Sequence, residues 1–470
     1  MSQMKLSSVN NVRRIFQSLN IIVLILTIFC GVQVAYAQNE KPEWKAGAAA
    51  VAVTPGEMTW MAGYASRDKP AEGKFHDLFA KALALEDVHG NRCVMVTLDL
   101  IGVPRSVREN VEQRVEKEWN LPPSGLLMNA SHTHSGPELR SRYLLLKHRD
   151  AKWIAMAEAY TADLENKIVE LVGKAISNLA PANLYYSHGR AGVSMNRRLP
   201  TPGGVNNSPY PDGLVDQDVP VLIVESPEKE LKTILFGYAC HNTTLALYQY
   251  CGDYAGYAQE YLEADHPGTI AMFMMGCGGD QNPYPRGTQE WAQRHGRSLA
   301  NAAEAALQAH RKVVHGPLKS AYDYADLEFA PPASREELLK SKESTNFYEK
   351  LHAETLLDEL DTSGAIRTHY SYPIQVVKLG PEILLIALAG EVVVDYSLEL
   401  KRRFGNANVW VAGYSNDVFG YVPSLRVLRE GGYEGRGAML YTSLPGPFTE
   451  SVEEIILDKV DELVQEVSSK

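Results

Sequence analysis

Two histidines stand two residues apart in Asn129-Ala130-Ser131-His132-Thr133-His134-Ser135-Gly136-Pro137, directly after the apolar run Leu126 to Met128. On an extended chain, residues i and i+2 share one face, so both imidazoles can reach one centre. Imidazole ligates zinc and carries protons near neutral pH. Taken alone, the pair serves equally well as a hydrogen-bonded structural couple. A third imidazole, His241, follows the run Ile234 to Ala239, and Glu391 follows the run Ile383 to Leu388 and the bend Ala389-Gly390. Two imidazoles and a carboxylate, each at the end of an apolar run, make a reasonable set for Zn²⁺ with a position left for water. Gly276-Cys277-Gly278-Gly279-Asp280-Gln281-Asn282-Pro283 comes off the run Ile270 to Met275 in the same way. Its small residues permit close backbone approach to a ligand, and Asp280, Gln281 and Asn282 can orient water or a carbonyl. The plain alternative is a tight turn.

Positioning these groups falls to short apolar, β-rich segments: Ala48 to Val53, Ala80 to Val88, Cys93 to Leu98, Val219 to Val224, Thr233 to Tyr238, Ile270 to Met275, Ile374 to Val377, Ile383 to Leu388 and Val409 to Ala412. Several are apolar almost throughout, the pattern of strands buried on both faces. Helical periodicities lie between them. Three-and-four spacing from Trp153 to Leu179 predicts one long amphipathic helix, and a second runs through Glu290 to Val313. A third extends from the Ser334/Glu337 capping box to about Leu360, and a fourth from Ser451 to Val467. Gly203 to Pro209 reads as a long surface loop and Phe329 to Ser334 as a short one. The fold class is α/β, with no repeat, low-complexity tract or obvious linker.

With 470 residues, 45% of them hydrophobic and 22% charged, the chain supplies a large core and excludes collagen-like, disordered and disulfide-scaffold classes. Lys5, Arg13 and Arg14, an apolar stretch from Ile21 to Cys30, and Ala35-Tyr36-Ala37 follow the order of a secretory signal, with cleavage expected after Ala37. The stretch is short for a bilayer span. The expected organisation is a signal over 1–37 and a single catalytic domain over 38–470, secreted or periplasmic, with no stable membrane span after cleavage. Residues 1–37 hold three basic and no acidic side chains, so their removal takes the formal charge from −11 to −14. Such a surface repels phosphates and anionic membranes, which argues against nucleic acid as a partner. Cys30 leaves with the signal. For Cys93, Cys240, Cys251 and Cys277, one bridge from Cys240 to Cys251 stands as an expectation beside buried free thiols.

Over most of its length the chain resembles the catalytic N-terminal domain of the neutral/alkaline non-lysosomal ceramidases, zinc-dependent enzymes that hydrolyse the amide of N-acyl sphingoid lipids. The likeness rests on "AGAAAVAVTP", "MAGYA", "HDLFAKALALED", "NASHTHSGP", "SMNRR", "YACHNTTL", "GDYAGYA", "GCGGDQNP", "AGEVVVDYSLELKRR" and "GYSNDVFGYVPSLRVLREGGYEG", in order from Ala46 to Glu434. It implies layered mixed β-sheets covered by helices. It also implies a divergent, bacterial-type member that ends at Lys470 without the family's C-terminal immunoglobulin-like domain. Carried onto this numbering, it implies His132, His241, Glu391 and Tyr421 as zinc ligands; without it, Phe419-Gly420-Tyr421 reads as core packing. His134 becomes an orienting group or proton shuttle beside the metal, and Arg197 an arginine facing a polar or anionic substrate group. Tyr433 becomes a donor to the developing oxyanion. Asn196 and Gln281 are expected beside the substrate, and Asp280 among the catalytic groups.

One position departs from the family. Where ceramidases have a serine held to be catalytic, this chain has Asn282. An amide cannot act as a nucleophile, but it can bind a carbonyl or an oxyanion, and water activated by zinc needs no side-chain nucleophile. Three readings follow. The first is a secreted zinc hydrolase of an amide (N-acyl) bond, acting on a small N-acyl lipid. The second is a zinc hydrolase of a glycosidic, ester or lactone bond on a carbohydrate. The third is a non-catalytic zinc-bearing binding protein, against which the presence of all four ligands and Tyr433 weighs.

Overall fold

The computed structural model describes residues 42–139, 150–405 and 407–469, so the expected signal and its cleavage after Ala37 lie outside the described residues. One sheet takes β1 (Trp44–Ala52), β2 (Phe79–Asp87), β3 (Arg92–Leu98), β4 (Leu126–Ala130), β5 (Ala180–Arg190), β6 (Asp218–Glu225), β7 (Leu231–Tyr238) and β8 (Ile270–Met275). Their spatial order is β8-β7-β6-β5-β1-β2-β3-β4, with Lys312–Val313 added beside β5. Neighbours are antiparallel except at the two ends, where β7 with β8 and β3 with β4 run parallel. A second sheet, β9 (Leu318–Glu328), β10 (His369–Leu379), β11 (Ile383–Leu388) and β12 (Val409–Ala412), is antiparallel until β11 meets β12 in parallel.

Alternation along the strands explains the apolar runs. On β3, Cys93 and Met95 share a core with Val377, Leu379, Ile383, Leu385 and Trp410 of the second sheet. Val94 and Val96, on the opposite face, pack on Val107, Val111, Leu164 and Ile168 of helices α1 (Arg105–Trp119) and α2 (Ala151–Ser177). The β6–β8 end is covered by α3 (Asp253–Asp265) and α4 (Gln289–Gln308), through residues such as Tyr254, Leu262 and Leu299. The outer face of the second sheet is covered by helices Val394–Phe404 and Val452–Ser468, through Tyr396, Leu400, Ile456 and Val460. The result is four layers, helix, sheet, sheet, helix, as the α/β expectation of layered mixed sheets requires. No helix among the described residues is long and apolar enough to cross a membrane.

Several local expectations are corrected. Helix α4 stops at Gln308, and the residues to Val313 turn into the short strand Lys312–Val313. The helix expected from Ser334 to about Leu360 is two, α5 (Arg335–Lys342) and α6 (Phe347–Ser363). Ser334 caps the first through its capping box, and Asn346 starts the second by accepting from the backbone N–H groups of Tyr348 and Glu349. The segment 203–209 is not a loop, because Gly204–Tyr210 pairs antiparallel with Ser194–Thr201. Cys93, Cys240, Cys251 and Cys277 are buried free thiols, which removes the Cys240–Cys251 bridge. The Cys251 Sγ lies 3.0 Å from His76 Nε2 instead.

The carboxyl ends of β4, β8 and β12 meet, joined by isolated bridges from Asn129 to Ser415 and from Gly276 to Ala412. Asn129 is the clamp. Its Nδ2 donates to the carbonyls of Gly413 (2.7 Å) and Met275 (3.2 Å) and to Ser415 Oγ (3.1 Å), while its Oδ1 accepts from the Met275 N–H at 2.7 Å.

Candidate metal centre and active site

Beyond β4 the chain turns at once. His132 takes a left-handed φ of 62°, so the two histidines do not share one face of an extended strand, as was expected. They converge through the turn instead, with their Nε2 atoms 3.1 Å apart. His241 follows the end of β7, and its backbone N–H donates to the Gln281 carbonyl at 3.0 Å. Glu391 and Tyr421 are direct neighbours in a two-residue parallel ladder, Glu391–Val392 with Tyr421–Val422. That ladder brings a phenol remote in sequence beside the carboxylate.

Four heteroatoms then face one another. Glu391 Oε2 lies 3.2 Å from His132 Nε2 and 3.3 Å from His241 Nε2, and His241 Nε2 lies 3.1 Å from the Tyr421 hydroxyl. His132 Nδ1 is 2.6 Å from the Ile101 carbonyl, and His241 Nδ1 is 2.6 Å from the Gly278 carbonyl. A carbonyl only accepts, so each Nδ1 carries a proton, which leaves each Nε2, turned toward Glu391 Oε2, as the atom that can ligate a cation. That oxygen is buried and accepts no hydrogen bond among the described residues. An unprotonated Nε2 that faces a carboxylate oxygen repels it unless a cation lies between them. Ligands about 2.0–2.1 Å from a tetrahedral zinc stand roughly 3.3 Å from one another, so the set fits Zn²⁺. His134 adds a third metal-capable imidazole: suitable atoms of His132, His134 and His241 all lie within 4.8 Å of one another.

The electrostatics favour the same occupant. Burial, and then Arg197, pulls His241 down to about 4, which keeps it a neutral donor. Burial alone would raise the Glu391 carboxyl, but the His132 and His241 imidazoles outweigh it and hold it well below the usual range. Burial raises the Tyr421 phenol well above its ordinary value although Arg197 opposes it, so losing that proton calls for a cation.

These groups line a cavity of about 560 Å³, with His134, Arg197, Asn282 and Tyr433 on the same walls. Arg197, expected to face substrate, first serves the protein. Its Nε donates to Glu434 (2.8 Å), Nη1 to Asn282 Oδ1 (3.1 Å) and Nη2 to the Tyr421 hydroxyl (2.8 Å). Thr243 Oγ1 also donates to Asn282 Oδ1, at 3.3 Å. Both partners donate, so this oxygen is fixed as the acceptor and the NH₂ end of the amide is left for the cavity. Tyr433 is 37% exposed, with its ring 5.3 Å from that of Tyr421.

Asp280, Gln281 and Asn196 are not among the cavity-lining residues, contrary to expectation, because their polar atoms tie loops together. Asp280 accepts from the Val394 N–H (2.9 Å) and from Asn196 Nδ2 (3.2 Å), and burial, then Asp395, pushes it up to about 6. Asn196 Nδ2 also donates to the Leu214 carbonyl. Gln281 accepts from the Asp216 N–H and donates to the Cys277 carbonyl. The glycines before Asp280 admit backbone rather than ligand: a Cβ at Gly279 would stand 2.7 Å from the Glu391 carbonyl oxygen. Other contributors went unread. Glu434 holds both Arg197 and Arg198, and a Cβ at Gly63 (φ 101°) would stand 2.5 Å from the His134 ring. The Tyr64 ring packs on His134 at 4.8 Å. Gly63 and Tyr64 belong to the "MAGYA" segment, which was visible without a role.

The family described as neutral/alkaline non-lysosomal ceramidase, N-terminal, matches residues 44–289. Neutral ceramidase B of Dictyostelium discoideum is 27% identical over 247 residues, covering 48% of this chain and 33% of that protein. Neutral ceramidase A of the same organism is 28% identical over 256 residues, covering 50% and 35%. The matched region thus spans about a third of the length of these curated relatives. Among solved structures, neutral ceramidase from Pseudomonas aeruginosa superposes with a TM-score of 0.70 at 20% identity, over 92% of this chain and 76% of that one. A structure described as ceramidase complexed with C2 gives 0.69 at 21%, over 92% and 77%. At these identities the structures establish a shared fold.

Proposed function

Because the chain belongs to the neutral/alkaline non-lysosomal ceramidase family, we propose that it hydrolyses an N-acyl amide with Zn²⁺ as cofactor, held by His132, His241, Glu391 and Tyr421. The observation that carries this is the 3.1–3.3 Å convergence of two imidazole nitrogens, a carboxylate oxygen and a phenol oxygen, with both Nδ1 protons committed elsewhere. Zinc bound there supplies Lewis acidity and brings the pKa of water toward neutrality.

The rest of the chemistry belongs to the chain. His134, beside the cluster and on the cavity wall, takes a proton from the attacking water and returns one to the leaving amine. Tyr433 and the Asn282 amide donate to the oxygen that gains negative charge. Arg197 holds Tyr421 and Asn282 in register, and Glu434 holds Arg197. Asn282 thereby replaces a hydroxyl nucleophile with a polarising donor. Family membership favours an amide over the carbohydrate bonds, and N-acyl sphingosines are the first substrates to try.

The purified protein should hold about one zinc per chain and release fatty acid from N-lauroylsphingosine, with both properties lost in His241→Ala. Full turnover by zinc-free protein would overturn the mechanism. We further propose export to the periplasm or the medium, on the basic, apolar and small-residue order of residues 1–37. Intact-mass analysis of the mature protein should then find Gln38 at its N-terminus.

A further inference from the structure

Charge at the cavity goes beyond what a neutral amide needs. Arg105, Arg286 and Arg367 join Arg197 on its wall, in a chain of formal charge −11. Three of the four are matched: Arg105 by Asp417 at 2.8 Å, Arg197 by Glu434 at 2.8 Å and Arg367 by Glu359 at 2.7 Å. Arg286 forms no ion pair among the described residues and is exposed.

The backbone on either side of it is nonetheless fastened. On one side the Pro285 carbonyl accepts from His295 Nε2 at 2.6 Å, and on the other the Gly287 N–H donates to the Thr244 carbonyl at 2.7 Å. The guanidinium lies 5.9 Å from the centre of the Tyr284 ring. Its field reaches Tyr64, the ring packed on His134, where it offsets part of the rise that burial and Asp253 impose on that phenol. Arg286 is also four residues from Asn282, so the chain between them spans at most about 14 Å. An unmatched cation therefore stands on the cavity wall, on a fastened stretch of backbone, a few residues from the proposed oxyanion donor. Guanidinium matches carboxylate, sulfonate and phosphate oxygens in pairs, and it stays charged at any working pH.

We infer that the substrate is an N-acyl compound with an acidic group a few bonds from the amide, as in an N-acylated amino acid, and that Arg286 receives that group. This rests on the amide-hydrolase assignment above. The test compares N-lauroylglycine with N-lauroylethanolamine, which differ in a carboxylate against a hydroxymethyl group, and N-lauroylsphingosine serves as a third substrate. Zinc-loaded wild type should prefer the acid by about tenfold or more in kcat/KM. Arg286→Gln should bring the ratio of the two near one, mainly through KM; Arg286→Lys should keep part of the preference, and Arg286→Glu should invert it, with zinc content unchanged in all three. Equal or better use of the neutral partner, or a ratio unmoved in Arg286→Gln, would overturn the inference. Turnover of the sphingosine amide alone would overturn it while leaving the amide-hydrolase assignment intact. If zinc-loaded protein hydrolyses none of the three, that assignment falls and this inference falls with it.

Discussion

Asn282 is the residue on which the proposed chemistry turns. Arg197 and Thr243 both donate to its oxygen, so the amide has one orientation and one donor end for the cavity. Asn282→Leu keeps the size but removes the donor, and should lower kcat by about 10²-fold with little change in KM, as steady-state kinetics would record. Gly63→Ala tests the opposite wall: the added methyl collides with the His134 ring, so kcat should fall while zinc content stays at the wild-type level. His132, His241 and Glu391 were legible from the sequence because each follows a buried strand, where a polar side chain has few structural uses. Tyr421 was legible only through resemblance, since a phenol in an apolar stretch looks like packing. Asp280, Gln281 and Asn196 misled because a polar turn residue can face a neighbouring loop as readily as a ligand. Sequence carries no sign of which.

At the scale of elements, the site depends on how strand ends are fastened. Asn129 satisfies backbone groups of β8 and of the turn after β12 from its place on β4. Asn129→Ala strands those buried groups and should cost about 3 kcal/mol in denaturant unfolding, with zinc binding weakened in the folded fraction. Strands buried on both faces were legible as long apolar runs, and β8, β11 and β12 match their expected bounds, whereas β5 and β9, exposed or half-buried at many positions, were missed. Helix continuity was read less well. The α5–α6 break depends on the Asn346 side chain capping a new start, a local competition that apolar spacing does not record. The hairpin at 204–210 was hidden for a related reason: its glycines and asparagines suit a loop, and pairing with Ser194–Thr201 overrides them.

Taken whole, the molecule relies on layered packing rather than on covalent cross-links. Its four described cysteines are buried, and burial pushes the Cys93 thiol up to about 12 and the other three upward as well. A thiol reagent should therefore leave the native protein almost unlabelled and modify all four in guanidinium, as counted by mass spectrometry.

The short ladder that sets Tyr421 against Glu391 also fixes a chronology. The proposed ligands enter at positions 132, 241, 391 and 421, so the last donor is made about 290 residues after the first and aligns only when both sheets have closed. A nascent or unfolded chain offers the cation no preformed cage. On the proposed function, metal uptake then closes maturation rather than seeding it, and saturation with zinc would certify that every layer has been assembled.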